Sequence, residues 1–128
     1  MFHKKVFPGT VAEVEPRVLK ALQDEGFGLL SRLAFDEILR EKRGTEMAPY
    51  VRLGVCNPAL AEAALSSTPE IGVVLPCAVI LRQTEDGVEA FYLDPETAFR
   101  QVAGGELELA REVARRLDRA LGKVEVAA

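Results

Sequence analysis

Residue types that build metal and redox sites are scarce in this chain of 128 residues. It has one histidine, two cysteines and no tryptophan. Two cysteines are too few for a disulfide scaffold. A structural zinc ion takes four ligands, mainly from Cys and His, and no spacing of carboxylates marks the missing ones. The chain also lacks a glycine-rich phosphate loop or dinucleotide motif. We therefore expect neither a metal ion nor a cofactor.

Long apolar segments are absent as well. The longest apolar stretch, residues 73–81, is far too short to span a bilayer. Residues 1–8 are mixed in character and do not have the pattern of a signal peptide. The formal net charge of −4 makes the whole domain unattractive to phosphate backbones and anionic membranes. We expect a cytoplasmic protein whose partners include neither nucleic acid nor a membrane.

The length and composition fit one globular domain. Apolar residues make up 48% of the chain and charged residues 28%. Strand and helix patterns intermix along the chain, and Asp86-Gly87 is a clear hairpin turn. We predict a single α+β domain over residues 1–128, with a loose tail from about residue 123. Its core is expected to be one mixed sheet of about five strands, with helices packed mainly on one face.

Several helix starts can be read from capping signals. Thr10 and Glu13 form a capping box, although Pro16 must either kink the first turns or move the start towards Glu15. Asp36 is predicted to cap a second helix. Asn57-Pro58 predicts a third, because asparagine is a favoured N-cap and proline suits the first helical position.

The second half of the chain contains two interruptions. A strand is predicted over residues 73–83, and Pro76 inside it indicates an edge strand or a bulge. Gly104-Gly105 is expected to separate two C-terminal helices.

Four segments, in one order, carry a resemblance to a known family. They are Gly26-Phe27-Gly28-Leu29-Leu30, Leu39-Arg40-Glu41-Lys42-Arg43-Gly44, Pro49-Tyr50 through Cys56-Asn57-Pro58, and Pro69-Glu70-Ile71-Gly72 with Leu75-Pro76-Cys77. Over about residues 6–121 the chain resembles the bacterial and archaeal domain-of-unknown-function family that is three-hundred-and-second in the usual numbering. The resemblance implies a small α+β fold and a homodimer, and no established activity. Ala78 stands where the family usually has asparagine.

The two cysteines and the asparagine beside the first of them form the candidate site. Cys56 ends a strand next to a predicted helix N-terminus, which favours a thiolate. Cys77 lies on the next strand and could approach it. One interpretation is a ligand-contacting or redox-active group made of Cys56, Asn57 and Cys77. The other is that both cysteines are small buried hydrophobic residues.

The remaining polar groups are weaker candidates. Glu37 and Glu41 share a helix face and could act as acid and base, but a solvated face is far more common. The last helix carries a stripe of four arginines that could bind an anion or be solvated, namely Arg111, Arg115, Arg116 and Arg119. His3 is expected to be a solvated residue of a frayed strand.

Two hypotheses of function follow. The first is a homodimeric binding or interaction module that holds a small molecule near Cys56, Asn57 and Cys77. The second is a thiol-dependent redox protein or enzyme that uses Cys56, with Cys77 as the resolving cysteine. The scarcity of histidine and the lack of ligand spacing favour the first.

Overall fold

The computed structural model describes residues 2–103 and 107–124. In that part of the chain, the strands are β1 (Phe2–Phe7), β2 (Gly28–Ala34), β3 (Tyr50–Cys56), β4 (Cys77–Thr84) and β5 (Gly87–Leu93). The α-helices are α1 (Val11–Asp24), α2 (Phe35–Arg43), α3 (Pro58–Ser67), α4 (Pro95–Ala103) and α5 (Leu107–Gly122). A short 3-10 helix covers Pro69–Val74.

The strands form one sheet in the order β1-β5-β4-β3-β2. The α+β class and the single sheet of five strands are as predicted. The sheet differs from the expected mixed arrangement, because each neighbouring pair of described strands is antiparallel. The reason lies in the connections. The helix after β1 leads to the opposite edge of the sheet, and α3 with the 3-10 helix returns the chain beside β3 in the reverse direction.

One face of the sheet is buried beneath helices α1 and α5. The strands alternate in burial, as strands with one covered face do. The buried apolar side chains of the three central strands are those of Val51, Leu53, Val55, Val79, Leu81, Val88, Ala90 and Tyr92. They pack against Val18 and Leu22 of α1 and against Leu117 and Leu121 of α5. This cluster is the main core.

We call the other side of the sheet the open face. The strand register places one row of side chains across it, from edge to edge: Lys4, Phe91, Ile80, Arg52 and Leu33. Phe2 and Val6 lie on the same side of β1 and are 65% and 53% exposed. The open face is therefore partly apolar and partly solvent-exposed.

The capping box at Thr10 holds the start of α1. The Thr10 side chain accepts a hydrogen bond from the Glu13 backbone, and the Glu13 carboxylate accepts one from the Thr10 N–H. The helix begins at Val11, so Pro16 lies inside it and does not move its start towards Glu15.

Two predicted boundaries were wrong. Helix α2 begins at Phe35, and the buried Asp36 does not cap it; instead, its carboxylate accepts a hydrogen bond from the Tyr50 N–H at 3.1 Å. Strand β4 begins at Cys77, directly after Pro76, and occupies the middle of the sheet. Proline has no N–H for the ladder, so it stands before the strand rather than within it.

A smaller core joins α3, the 3-10 helix and α4 to α5. Its buried members are Ala64 of α3, Ile71 of the 3-10 helix, Phe99 of α4 and Ala110 of α5. Across the described residues, no helix is both long and apolar enough to cross a membrane. The predicted break at Gly104-Gly105 and residues 125–128 of the predicted tail lie outside those residues. Lys123, near the start of that tail, is paired with Glu25.

Candidate functional site

The structure brings Cys56, Asn57 and Cys77 to the same place. Cys77 is the first residue of β4 and lies opposite Val55 of β3, so it is a neighbour of Cys56 across the two strands. All three residues line one cavity beneath the end of β3, and both thiols are free. The strand pairing predicted from sequence as a condition for their approach is therefore present.

Both ends of the Asn57 amide are occupied by the protein itself. Its Oδ1 accepts a hydrogen bond from the Leu60 N–H at 3.2 Å, and its Nδ2 donates one to the Glu25 carbonyl at 3.4 Å. Asn57 is the predicted N-cap of α3, and it also joins that helix to the end of α1. A ligand would have to displace these contacts to reach the amide.

The Cys77 thiol is poorly suited to act as a nucleophile. Burial, together with a smaller effect of the neighbouring Cys56, raises its pKa to about 11. Since the thiolate is the reactive form, a thiol with this pKa is almost fully protonated at neutral pH. The structure favours a packing role for Cys77.

The space around the three residues is small. The cavity that they share has a volume of about 20 Å³, enough for a single water molecule. A much larger cavity, of about 280 Å³, is also lined by Cys77. We call it the main cavity. Its other lining residues are Phe2, Arg52, Val74, Pro76, Ala78, Ile80, Phe91, Tyr92, Leu93, Pro95, Ala98 and Leu117.

The main cavity is apolar apart from a few groups. It opens where β4 and β5 meet the 3-10 helix and α4, and aromatic side chains form part of its wall. Arg52 is the charged residue that lines it. The open-face row places Arg52 between Leu33 and Ile80, and it makes no ion pair within the described part of the chain. An apolar pocket with one polar anchor is typical of a small-molecule site.

The four arginines of the last helix are all engaged with carboxylates. Arg111 binds Glu96 and Glu108, Arg115 and Arg116 bind Glu112, and Arg119 binds Glu25. This pairing favours the solvated-face interpretation of the stripe. Glu37 and Glu41 are exposed on α2 and line neither cavity. Their positions favour a solvated helix face over an acid–base pair.

Sequence reasoning missed a polar group around His3. The His3 Nε2 atom lies 3.1 Å from Asp94 Oδ1, and the imidazole stacks on the Tyr92 ring at a centroid distance of 5.0 Å. His3 is thus held within a paired strand. The alternation of β1 could have indicated it, because His3, Lys5 and the buried Phe7 fall on the same side of that strand. Within the described residues, no group of three or more His, Cys, Asp or Glu side chains could hold a metal ion.

Comparison with known proteins identifies the family. The model of a family described as "Domain of unknown function DUF302" matches residues 3–124. A crystal structure of an uncharacterized conserved DUF302 protein from Bacillus stearothermophilus is similar to this chain, with a TM-score of 0.90 and 26% sequence identity. The alignment covers 97% of this chain and 98% of that one. Among curated proteins, none matches at a significant level.

Proposed function

The chain belongs to the DUF302 family, and on that premise we propose that it is a homodimeric binding module for a small ligand. The ligand is a mainly apolar molecule with one anionic group, and it occupies the main cavity. We propose no catalytic activity and no contact with nucleic acid or a membrane. The cytoplasmic location remains a prediction from the sequence.

The observation that carries the proposal is the main cavity itself. Its volume of about 280 Å³ is near the lower end of the usual range for ligand pockets. Phe2, Phe91 and Leu93 supply apolar surface, which favours an aliphatic or aromatic ligand body. Cys77 is the residue of the sequence-predicted group that contacts this space, so its role here is to form part of the wall.

Arg52 defines the polar end of the proposed ligand. Its guanidinium carries a permanent charge and offers a fork of donors that matches a carboxylate. The described residues around it supply no carboxylate partner, whereas Arg82 of the same face is paired with Glu89 at 2.7 Å. An anionic ligand would satisfy the guanidinium without breaking an existing ion pair.

Binding of matched probes tests this proposal. Hexanoate and 1-hexanol have the same chain length and differ in charge, so calorimetry or NMR titration should show tighter binding of hexanoate. Arg52→Met should remove that preference, and Ala78→Leu should weaken both probes by filling the cavity. Arg82→Met, on the same face but outside the cavity, is the control. If neither probe binds the unaltered protein, or if Arg52→Met keeps the preference for hexanoate, the proposal fails.

The open face is the proposed dimer interface. Phe2 and Val6 expose apolar side chains at one edge of this face, and Leu33 exposes one at the opposite edge. Exposed apolar side chains can contribute to an interaction surface. Lys4 and Arg82 share the one carboxylate of Glu89, and Arg52 has no ion-pair partner among the described residues, so these four side chains leave two positive charges on the face. An anionic ligand at Arg52 would therefore reduce the repulsion between two copies that meet face to face.

Light scattering at micromolar concentration tests the dimer. We expect a mass of two chains for the unaltered protein and of one chain for Leu33→Lys, which places a charge on the open face. The control Val73→Lys changes a more exposed apolar residue, 82% accessible on the 3-10 helix, and should remain dimeric. A monomeric unaltered protein would contradict the homodimer directly.

The thiol-dependent alternative receives less support. A resolving cysteine attacks the oxidised sulfur of the first cysteine as a thiolate, and Cys77, with a pKa of about 11, is almost fully protonated at neutral pH. We therefore rank the redox role of Cys56 and Cys77 second to ligand binding.

A further inference from the structure

A second cavity lies at the β1 edge of the sheet, and it shares Phe2 and Tyr92 with the main cavity. Its volume is about 260 Å³, and it is bounded by β1, the end of β5 and the last turns of α5. We call it the polar cavity. Besides Phe2 and Leu121, the residues around it are His3, Lys4, Lys5, Tyr92 and Asp118. Most of its lining groups can therefore form hydrogen bonds or carry charge.

The Tyr92 hydroxyl is the buried polar group of this cavity. Tyr92 is only 3% exposed, and its hydroxyl makes no hydrogen bond to the described part of the chain. No fully buried side-chain oxygen or nitrogen in the described residues lacks a partner, so the hydroxyl must still reach solvent. Tyr92 borders both the polar cavity and the main cavity. Burial, with Asp118 and Asp94, raises the pKa of Tyr92 to about 12. The group is therefore a hydrogen-bond donor at neutral pH.

Lys5 and Asp118 place opposite charges at the same cavity. Neither makes an ion pair within 4 Å in the described part of the chain, with each other or with another residue. The Lys5 ammonium rests against Gly122, where an added Cβ would lie 3.3 Å from Nζ. This is the C-terminal end of α5, whose partial negative charge favours a cation. The same end disfavours the carboxylate of Asp118, so a second cation beside Asp118 would be stabilising.

His3 forms a fixed wall beside these groups. Its contact with Asp94 at 3.1 Å and its stacking on Tyr92 set the orientation of the ring. Asp94 is itself held, because its other carboxylate oxygen accepts hydrogen bonds from the Thr97 N–H and hydroxyl. Lys4, on the rim, is already bound to Glu89. The charges left for a ligand are therefore those of Lys5 and Asp118.

We propose that the polar cavity binds a zwitterion, namely a free α-amino acid with a small apolar side chain. Lys5 and the Tyr92 hydroxyl donate to its carboxylate, and its ammonium donates to Asp118. Phe2 and Leu121 contact its side chain. A ligand with only a negative charge would be repelled by Asp118, and a ligand with only a positive charge would be repelled by Lys5. A molecule that carries both charges therefore fits this pair of residues best.

Titration with L-valine and its two half-ligands tests the inference. Isovalerate lacks the ammonium of valine and isobutylamine lacks its carboxylate. By NMR titration of the unaltered protein at millimolar concentrations, valine should bind about tenfold or more tightly than either, because each loses one charge-assisted contact. Asp118→Asn should reduce the affinity for valine to that for isovalerate, and Lys5→Met should weaken valine similarly. Tyr92→Phe, which keeps the stacked ring, should cause a smaller loss.

Two controls keep the result specific. Lys42→Met and Asp86→Asn remove the same charges at exposed positions far from the cavity, and both should bind valine as the unaltered protein does. The inference is overturned if valine causes no shifts, if isovalerate binds as tightly as valine, or if Asp118→Asn leaves valine binding unchanged. Hexanoate binding in the main cavity is measured separately, so failure here leaves the proposed function standing, and the reverse also holds.

Discussion

Replacing Asn57 with alanine should destabilise the fold by about 1–2 kcal/mol. The N-cap bond from the Leu60 N–H, 3.2 Å long, contributes about 1 kcal/mol in comparable helices. The bond from Nδ2 to the Glu25 carbonyl is longer, at 3.4 Å, so we assign it the lower part of the usual net range, about 0.5 kcal/mol. Asn57 is 7% exposed, so in the alanine variant water has little access to the Leu60 N–H and the Glu25 carbonyl. The two contributions therefore add to about 1.5 kcal/mol.

Urea unfolding followed by circular dichroism measures this effect. Asn57→Ala should lower the midpoint without changing the slope of the transition, and it should lower the melting temperature by about 3–8 °C. Asn57→Ser separates the two contacts, because serine can cap the helix but cannot reach the Glu25 carbonyl. It should cost less than alanine, about 0.5 kcal/mol. Equal midpoints for the alanine variant and the unaltered protein would refute the capping argument and make Asn57 available for a ligand.

Three further predictions concern the thiol, an ion-pair cluster and a crowded glycine. Alkylation of Cys77 by iodoacetamide should be slow at pH 7 and still rising above pH 9, since its pKa is about 11; fast labelling at neutral pH would favour the redox alternative. The raised pKa also means that this group's contribution to stability is present below pH 9 and is lost as the pH rises towards 11. Glu25→Gln should lower stability at pH 7, because Lys123 and Arg119 hold the pKa of Glu25 below 4.5; the difference from the unaltered protein should shrink as the pH falls through that lowered pKa, and a constant difference would contradict the ion-pair account. Gly54→Ala should lower the unfolding midpoint, because its Cβ would collide with Ser31 Oγ and approach Pro76 Cγ; Ser31→Gly should recover part of the loss, and no recovery would point to Pro76 as the obstacle.

The sequence was informative wherever one local signal decided the structure. Thr10 with Glu13 and Asn57 with Pro58 correctly predict the starts of two helices. Asp86-Gly87 correctly predicts the hairpin, although its turn residues are Glu85 and Asp86 and Gly87 begins β5. All three depend on contacts within a few residues, which a sequence displays directly. Asp36 was misread because its carboxylate bonds to Tyr50, on a strand that the sequence does not place beside it.

The candidate site was harder to predict, for a related reason. Sequence reasoning placed Cys56, Asn57 and Cys77 together, because strand ends and helix starts are local features. It did not find Arg52, which looks like an ordinary strand residue until Leu33 and Ile80 are seen on either side of it. Nor did it find Lys5, Tyr92 and Asp118, which come from three elements far apart in the chain.

Two of the segments that carry the family resemblance, those of Gly26 and Asn57, lie against each other in the structure. Gly26 has a φ of 89°, and a Cβ there would come within 2.7 Å of the Asn57 amide nitrogen. The amide therefore needs a residue without a side chain at the end of α1 in order to reach the Glu25 carbonyl. A substitution at Gly26 should for that reason disturb the start of α3, more than thirty residues later.

The pairing of β1 with β5 has a consequence for folding during synthesis. Phe2 lies opposite Leu93 and Phe7 opposite Val88, so the partner of β1 leaves the ribosome about 80 or more residues after β1 does. Until then the apolar side chains of β1 have no strand to join, and closing so long a loop is slow. The two-stranded β4–β5 hairpin can form at once by comparison. We expect β1 to be a late-joining strand, and the nascent chain to be most open to chaperones and to misassociation before residue 93 emerges.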